Sequence, residues 1–327
     1  MAPALFVASL GTWRAGYGLA PRSDEHGALA SAIVKLSIKV PPDARTARTL
    51  GTEREGTGVI IDETGLVVTI GYLIIESTSI LAIAHDGAVH PAHMVGFDHL
   101  TGFGIVRTSP TITRHPVALG PSSEVHELQA LKSVTYPAAG GLAAACIVDR
   151  RSFTGYWEYL LDDAIFAAPA RADHSGAALI DANGRLVGVG SLWVADALEL
   201  GVAFPGNMFV PADLLKPILP DLIATGRRRG PGRPWLGLYS EEVQGHVVIA
   251  QVLPDSPAQR AGLQRGDLIL SVGGDPVSAQ ADFYRKLWTS GDAGASVVLH
   301  VLRKRIVREV SVNSIDRLDY LRPRVSS

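Results

Sequence analysis

Ser175 stands in the turn-like stretch Asp173-His174-Ser175-Gly176-Ala177-Ala178, directly before the apolar pair Leu179-Ile180. A serine hydroxyl attacks a carbonyl only in company. An imidazole must take its proton, a carboxylate must hold that imidazole in one tautomer, and backbone N–H groups must receive the oxyanion. Taken alone, Ser175 is a turn serine. Among the candidate bases, His85, His90, His93 and His99 lie upstream and His174 adjoins Ser175. His174 is a poor partner, because a neighbour in the chain rarely reaches back to the hydroxyl. His99 follows Asp98 and is the best of the set. No His-x₃-His pair sits in a helical stretch with a third ligand, so no metal and no other cofactor is expected. The single cysteine, Cys146, excludes an intrachain disulfide. It lies in the apolar run Leu142 to Val148 and is expected to be a small buried hydrophobe.

The elements around these residues are short. The chain has 327 residues, 34 glycines and 20 prolines, and is 47% hydrophobic and 19% charged. That length suits about two domains, and that balance suits packed cores built from many short strands joined by tight turns. Strand-like runs are Ala32–Val40, Gly58–Ile61, Leu66–Thr69, Ile80–Ala84, Gly104–Thr108, Leu160–Ala167, Ala178–Ile180 and Leu186–Gly190. Turn signals such as Asp86-Gly87 and Asp181-Ala182-Asn183-Gly184 separate them, which predicts an all-β barrel pair or sandwich. The period changes over Met208–Ala224. There Leu214, Leu215, Ile218, Leu222 and Ile223 fit one helix face, weakened by Pro217 and Pro220.

The stretch Gly226-Arg227-Arg228-Arg229-Gly230-Pro231-Gly232-Arg233-Pro234 has the composition of a solvated linker. Beyond it lie strand-like runs at Val247–Leu253, Leu268–Val272, Ser296–Leu302 and Ile306–Val312, and two helices. Ser256 caps the first helix, Pro257 takes its first position and Gly262 ends it. The second is Ala281–Trp288. The net charge of −2 provides no basic field for nucleic acid. No apolar stretch is long enough to span a bilayer. The first twenty residues make a poor secretory signal, and their Phe6, Trp13 and Tyr17 call for burial on the domain or on another subunit.

Several segments, taken in order, resemble the HtrA (Deg) family of trypsin-like proteases with C-terminal PDZ domains, over about residues 28–315. They are Gly56-Thr57-Gly58-Val59-Ile60-Ile61, Leu66-Val67-Val68-Thr69, Val95-Gly96-Phe97-Asp98, Ser175-Gly176, and Gly201-Val202-Ala203-Phe204-Pro205-Gly206-Asn207-Met208. The most specific is Ser256-Pro257-Ala258-Gln259-Arg260-Ala261-Gly262-Leu263-Gln264-Arg265-Gly266-Asp267-Leu268-Ile269-Leu270, which matches a PDZ signature. The resemblance implies an all-β trypsin-like double six-stranded barrel followed by a PDZ β-sandwich with two helices. The implied boundaries are an N-terminal extension (1–27), a protease-like domain (28–226), a linker (227–234), a PDZ domain (235–315) and a C-terminal tail (316–327).

The same resemblance puts Ser175 at the nucleophile position, Tyr72 at the histidine position and Gly102 at the aspartate position. A phenol of pKa ~10 is about one part in a thousand ionised at pH 7, and glycine can orient nothing. The oxyanion hole falls to the backbone of Asp173 and Ser175, and aspartate tolerates a left-handed turn better than most residues. In the PDZ unit, Leu236, Gly237 and Leu238, following Trp235, are implied to receive a peptide C-terminal carboxylate, with side-chain pockets at Phe283 and Leu287. The expected protein is an HtrA homologue without catalysis that binds protein C-termini or unfolded segments as an adaptor or chaperone in protein quality control. Two alternatives stay open. One is a serine endopeptidase using Ser175 with a non-standard base, His99 being the foremost. The other is a regulatory subunit of an active paralogue. The family implies a homo-oligomer, a trimer among them, and is mostly periplasmic, although no clear leader is visible.

Overall fold

The structure is a computed structural model. It describes residues 23–113, 115–137 and 141–321. The aromatic residues Phe6, Trp13 and Tyr17 lie outside the described residues.

Two closed six-stranded barrels come first. The first is built from β1 (Ile33–Lys39), β2 (Glu53–Ile60), β3 (Leu66–Ile70), β4 (Ser79–Ile83), β5 (Val89–Phe97) and β6 (Phe103–Thr108), in the order β1-β2-β3-β6-β5-β4. The second contains β7 (Ala130–Val134), β8 (Leu142–Gly155), β9 (Tyr159–Ala168), β10 (Ala178–Ile180), β11 (Leu186–Val194) and β12 (Gly206–Pro211), in the order β10-β11-β12-β9-β8-β7. Closure removes the sheet edges. The β-branched and aliphatic runs explain the cores. β3 is buried along its whole length, as Leu-Val-Val-Thr-Ile demands. One apolar cluster joins the two barrels and includes Ile70, Phe103, Tyr159, Phe166 and Met208. Cys146 is buried in the second barrel, and burial raises its thiol pKa.

The third unit is a sheet ordered β13 (Leu238–Val243), β14 (His246–Val252), β15 (Leu268–Val272), β17 (Ser296–Arg303) and β18 (Ile306–Asn313), with β16 (Asp275–Pro276) paired to β15. Two helices pack on it, Pro257–Arg260 and Gln280–Thr289. Ser256 caps the first by accepting the Gln259 N–H, as its sequence predicts. The second buries Phe283, Tyr284 and Leu287. A short helix, Arg317–Tyr320, follows the sheet.

Two local expectations differ from the structure. Met208 to Val210 belongs to a strand, not to the start of a helix; barrel closure overrides the local helical spacing. The helical turns come later, at Ala212–Leu214 and Leu219–Thr225, the latter with Pro220 in its first turn. The linker arginines are not uniformly solvated. Arg228 is bonded to the buried carboxylate of Asp98, and the Arg233 guanidinium lies 4.4 Å over the Trp288 ring.

Candidate functional site at Ser175 and the PDZ groove

Tyr72 is carried by the short helix Gly71–Ile74, which leaves the first barrel at the end of β3. Ser175 is carried by the loop before β10 of the second barrel. Two backbone bonds fix that loop: Thr57 N–H donates to the Ser175 carbonyl (2.8 Å) and Gly176 N–H to the Gly190 carbonyl (2.8 Å). Gly176 has φ +76°, and a Cβ there would stand 2.0 Å from the Thr57 carbonyl oxygen, so only glycine fits.

The structure brings Tyr72 and Ser175 into direct contact. Tyr72 Oη lies 2.7 Å from Ser175 Oγ and 2.8 Å from the Ser191 carbonyl oxygen. A phenol has one proton to give, and a carbonyl can only accept. With that proton on the Ser191 carbonyl, the Ser175 hydroxyl donates to the phenol oxygen. Burial pushes the Tyr72 pKa up to about 12, against the smaller downward pull of its bond to Ser175. The group beside the hydroxyl is therefore a neutral phenol at any physiological pH.

Gly102 adopts φ +87°, and its carbonyl accepts the Gly71 N–H at 2.6 Å. The Asp98 carboxylate, four residues before Gly102, is buried and committed to Thr101 (2.7 Å) and Arg228 (3.0 Å). His99 faces Arg317, Asp98, Asp316 and Arg233; burial and the two arginines bring its pKa down to about 4. His90 and His93 sit on β5, and His85 is exposed in the turn before it. His174 Nδ1 lies 3.2 Å from the Arg171 carbonyl oxygen. Among the described residues, no histidine is hydrogen-bonded to Ser175.

The left-handed backbone that aspartate tolerates is not used at Asp173; the positive φ in this loop belongs to Gly176. The Asp173 carboxylate turns to Arg171 Nη2 (2.7 Å) and the Thr135 hydroxyl (2.7 Å). Arg171, Thr135 and the residue's own N–H together hold its pKa below the usual carboxylate value.

The PDZ loop Leu236-Gly237-Leu238 has the expected form, with Gly237 at φ +77°. Leu236, Leu238, Phe283 and Leu287 share one buried apolar cluster. Trp235 packs against Tyr320, at 4.6 Å between ring centroids. The three loop N–H groups already have an acceptor within this chain. Leu236 N–H donates to Glu158 Oε2 (3.0 Å), and Gly237 and Leu238 N–H donate to Glu158 Oε1 (2.7 and 3.0 Å). Sequence reasoning missed Glu158. The available signal was Gly155-Tyr156-Trp157-Glu158, a hairpin tip carrying two aromatic residues where turns are normally polar.

Barrel pair, interbarrel serine and appended groove together define a trypsin-like peptidase domain joined to a PDZ domain. Comparison with known proteins agrees: residues 56–189 match the trypsin-like peptidase domain family and residues 234–313 the PDZ domain family. The chain belongs to the HtrA family. It is 27% identical over 322 residues to a putative serine protease, HhoA, of Synechocystis, covering 88% of this chain and 71% of that protein. It is 25% identical over 278 residues to the periplasmic serine endoprotease DegP of Escherichia coli, covering 79% of this chain and 56% of DegP. The chain thus spans little more than half the length of DegP. Among solved structures, the HtrA-type protease AlgW with a tripeptide superposes with TM-score 0.54 at 20% identity, covering 90% of this chain and 97% of that one. A serine endoprotease from Yersinia pestis gives TM-score 0.52 at 21% identity, with 90% and 98% covered. These two likenesses bear on the fold.

Proposed function

We propose that this HtrA-type protein is not a working protease and that it binds protein C-termini or unfolded segments through its PDZ domain, as an adaptor or chaperone in protein quality control. One observation carries the first half: Tyr72 Oη, a neutral phenol, stands 2.7 Å from Ser175 Oγ where a base is required. Removing one member of a serine triad costs about 10⁴ to 10⁶ in kcat. Here Gly102 leaves any base without an orienting carboxylate. The second half rests on the form of the Leu236-Gly237-Leu238 loop and the apolar pocket at Phe283 and Leu287. In this reading residues 28–226 form the scaffold, 227–234 the connection and 235–315 the binding module. The family's oligomeric habit extends it to a homo-oligomer, a trimer or a mixed assembly with an active paralogue.

The test is direct. Full-length protein is incubated with casein and, separately, with a fluorophosphonate probe. Casein remains intact and Ser175 remains unlabelled. Casein turnover that disappears in Ser175→Ala would instead establish the alternative, an endopeptidase with a non-standard base.

A further inference from the structure

The PDZ groove is filled, and what fills it is the tip of the β8–β9 hairpin of the second barrel. Four contacts reproduce what an extended peptide ending in a carboxylate would make. The Glu158 carboxylate takes all three N–H groups of Leu236, Gly237 and Leu238, at 2.7 to 3.0 Å. Two residues earlier, the Tyr156 carbonyl accepts the Ser240 N–H of β13 at 3.0 Å, as a strand added to that edge would. The Tyr284 hydroxyl donates to the Gly155 carbonyl (2.9 Å) and accepts the Glu158 N–H (3.2 Å). Leu160 belongs by sequence to β9, yet its side chain is buried with Leu236, Leu238, Phe283 and Leu287.

Backbone conformation points the same way. Glu158 has φ +57°, the left-handed region that a non-glycine residue enters at a cost on the order of 1 kcal/mol. That turn aims the carboxylate at the loop. Two further ties between barrels and PDZ unit, the Arg45–Asp255 and Arg285–Asp162 pairs, each carry an exposed aspartate, 70% and 75% accessible, so each contributes about 0–1 kcal/mol.

We infer that residues 155–160 are the resident ligand of the PDZ groove, so that an external peptide bearing a free C-terminal carboxylate and a leucine-sized terminal side chain binds only by displacing them. The inference rests on the peptide-binding half of the proposed function. Glu158 supplies the carboxylate and Leu160 the apolar side chain that such a peptide would carry on its last residue. The groove's apparent affinity is then its intrinsic affinity reduced by the fraction of molecules with the hairpin undocked.

Two measurements on the full chain test this. In the first, a fluorescein-labelled decapeptide ending in leucine with a free carboxylate is titrated against the wild type, Glu158→Gln and Glu158→Ala, and its C-terminal amide serves as control. The expected result is binding about tenfold or more tighter to Glu158→Ala than to the wild type, with no binding of the amide. Equal, carboxylate-dependent affinity for the wild type and both variants overturns the inference, since the groove would then be open. In the second, amide hydrogen exchange follows the segment 236–238. Protection is expected in the wild type and falls in Glu158→Ala, while melting curves confirm that the variants are folded; unchanged protection overturns the inference. Loss of protection in Glu158→Ala with no variant binding the peptide supports the resident ligand and removes the peptide-binding half of the proposed function instead.

Discussion

Glu158 and Tyr159 are consecutive on one hairpin, and they serve opposite sides of the molecule. The Glu158 carboxylate lies on the N–H groups of the PDZ loop, whereas the Tyr159 hydroxyl donates to the Thr101 carbonyl at 2.8 Å. A Cβ at Gly102 would stand 3.6 Å from that hydroxyl. Glu158 stands in the left-handed turn at φ +57°, one residue before β9 begins at Tyr159, and that turn separates the two directions. One short segment therefore touches both the groove and the position where a catalytic carboxylate would be sought.

Tyr72→Phe separates a structural phenol from a catalytic one. Ser191 lies at the bulge between the β11–β12 pairs at Gly190 and Leu192, and its carbonyl relies on the Tyr72 hydroxyl at 2.8 Å. Removing the hydroxyl leaves a poorly hydrated acceptor, at a cost of about 1–2 kcal/mol. The melting temperature should fall by a few degrees, with no change in the absence of casein cleavage. Tyr72→His should also leave casein intact, because Gly102 cannot orient the new imidazole. Vigorous hydrolysis by Tyr72→His, measured by release of labelled peptides, would show that the rest of the machinery is already in place.

The linker supplies a second test. Arg228 bonds Asp98, which is 3% exposed, while Arg227 is solvent-exposed. Thr101 still satisfies part of the carboxylate when Arg228 is lost, and Arg228 itself is 37% exposed, so the penalty is moderated. Arg228→Ala should cost about 1–3 kcal/mol in chemical denaturation, and Arg227→Ala less than about 0.5 kcal/mol. Equal effects would return both residues to the solvated linker that their composition suggests.

The contrast between these arginines shows what the sequence made legible. The strands and the Ser256 cap were readable because each depends on local spacing: apolar runs, turn residues, a serine before a proline; the choice of two barrels and a PDZ sheet came from the family resemblance. The strand β5 (Val89–Phe97) was not singled out, because its polar, His-containing stretch lacks a continuous apolar signal and is placed by its neighbours β4 and β6. The contact of Tyr72 with Ser175 follows from resemblance and fold together. Arg228–Asp98 and Glu158–Gly237 join residues about 130 and 79 apart in sequence, and no periodicity connects them. The conformation of Asp173 was also illegible, since it depends on where Arg171 and Thr135 point.

Gly237→Ala probes the loop itself. At φ +77° the backbone is one that alanine resists, and the added Cβ would lie 2.3 Å from Ser256 Cβ and 2.8 Å from the Trp235 ring. Ser256 cannot yield easily, because it caps the helix Pro257–Arg260. The loop must move, and its N–H groups leave the Glu158 carboxylate. The expected result is a loss of more than about 1 kcal/mol of stability, with faster amide exchange over 236–238. Unchanged exchange would show that the loop tolerates a side chain.

The last prediction concerns pH. Burial pushes the Glu158 pKa up to about 7, against the downward pull of the Leu236, Leu238 and Gly237 N–H groups and of Arg317. The Tyr284 hydroxyl also faces it, and burial brings that pKa to about 12, so it stays neutral. A docked carboxyl that holds its proton more tightly than the undocked one stabilises docking most when both are protonated. That contribution is full below the ordinary carboxyl value of about 4.5 and is lost as pH rises through about 7. Glutamine cannot titrate, so the wild type and Glu158→Gln share every other pH effect. The difference in melting temperature, wild type minus Glu158→Gln, should therefore shrink from pH 5 to pH 8 and level off above that. A difference that is constant over this range, or that grows with pH, would mean that the three N–H groups and Arg317 outweigh burial and that Glu158 is ionised throughout.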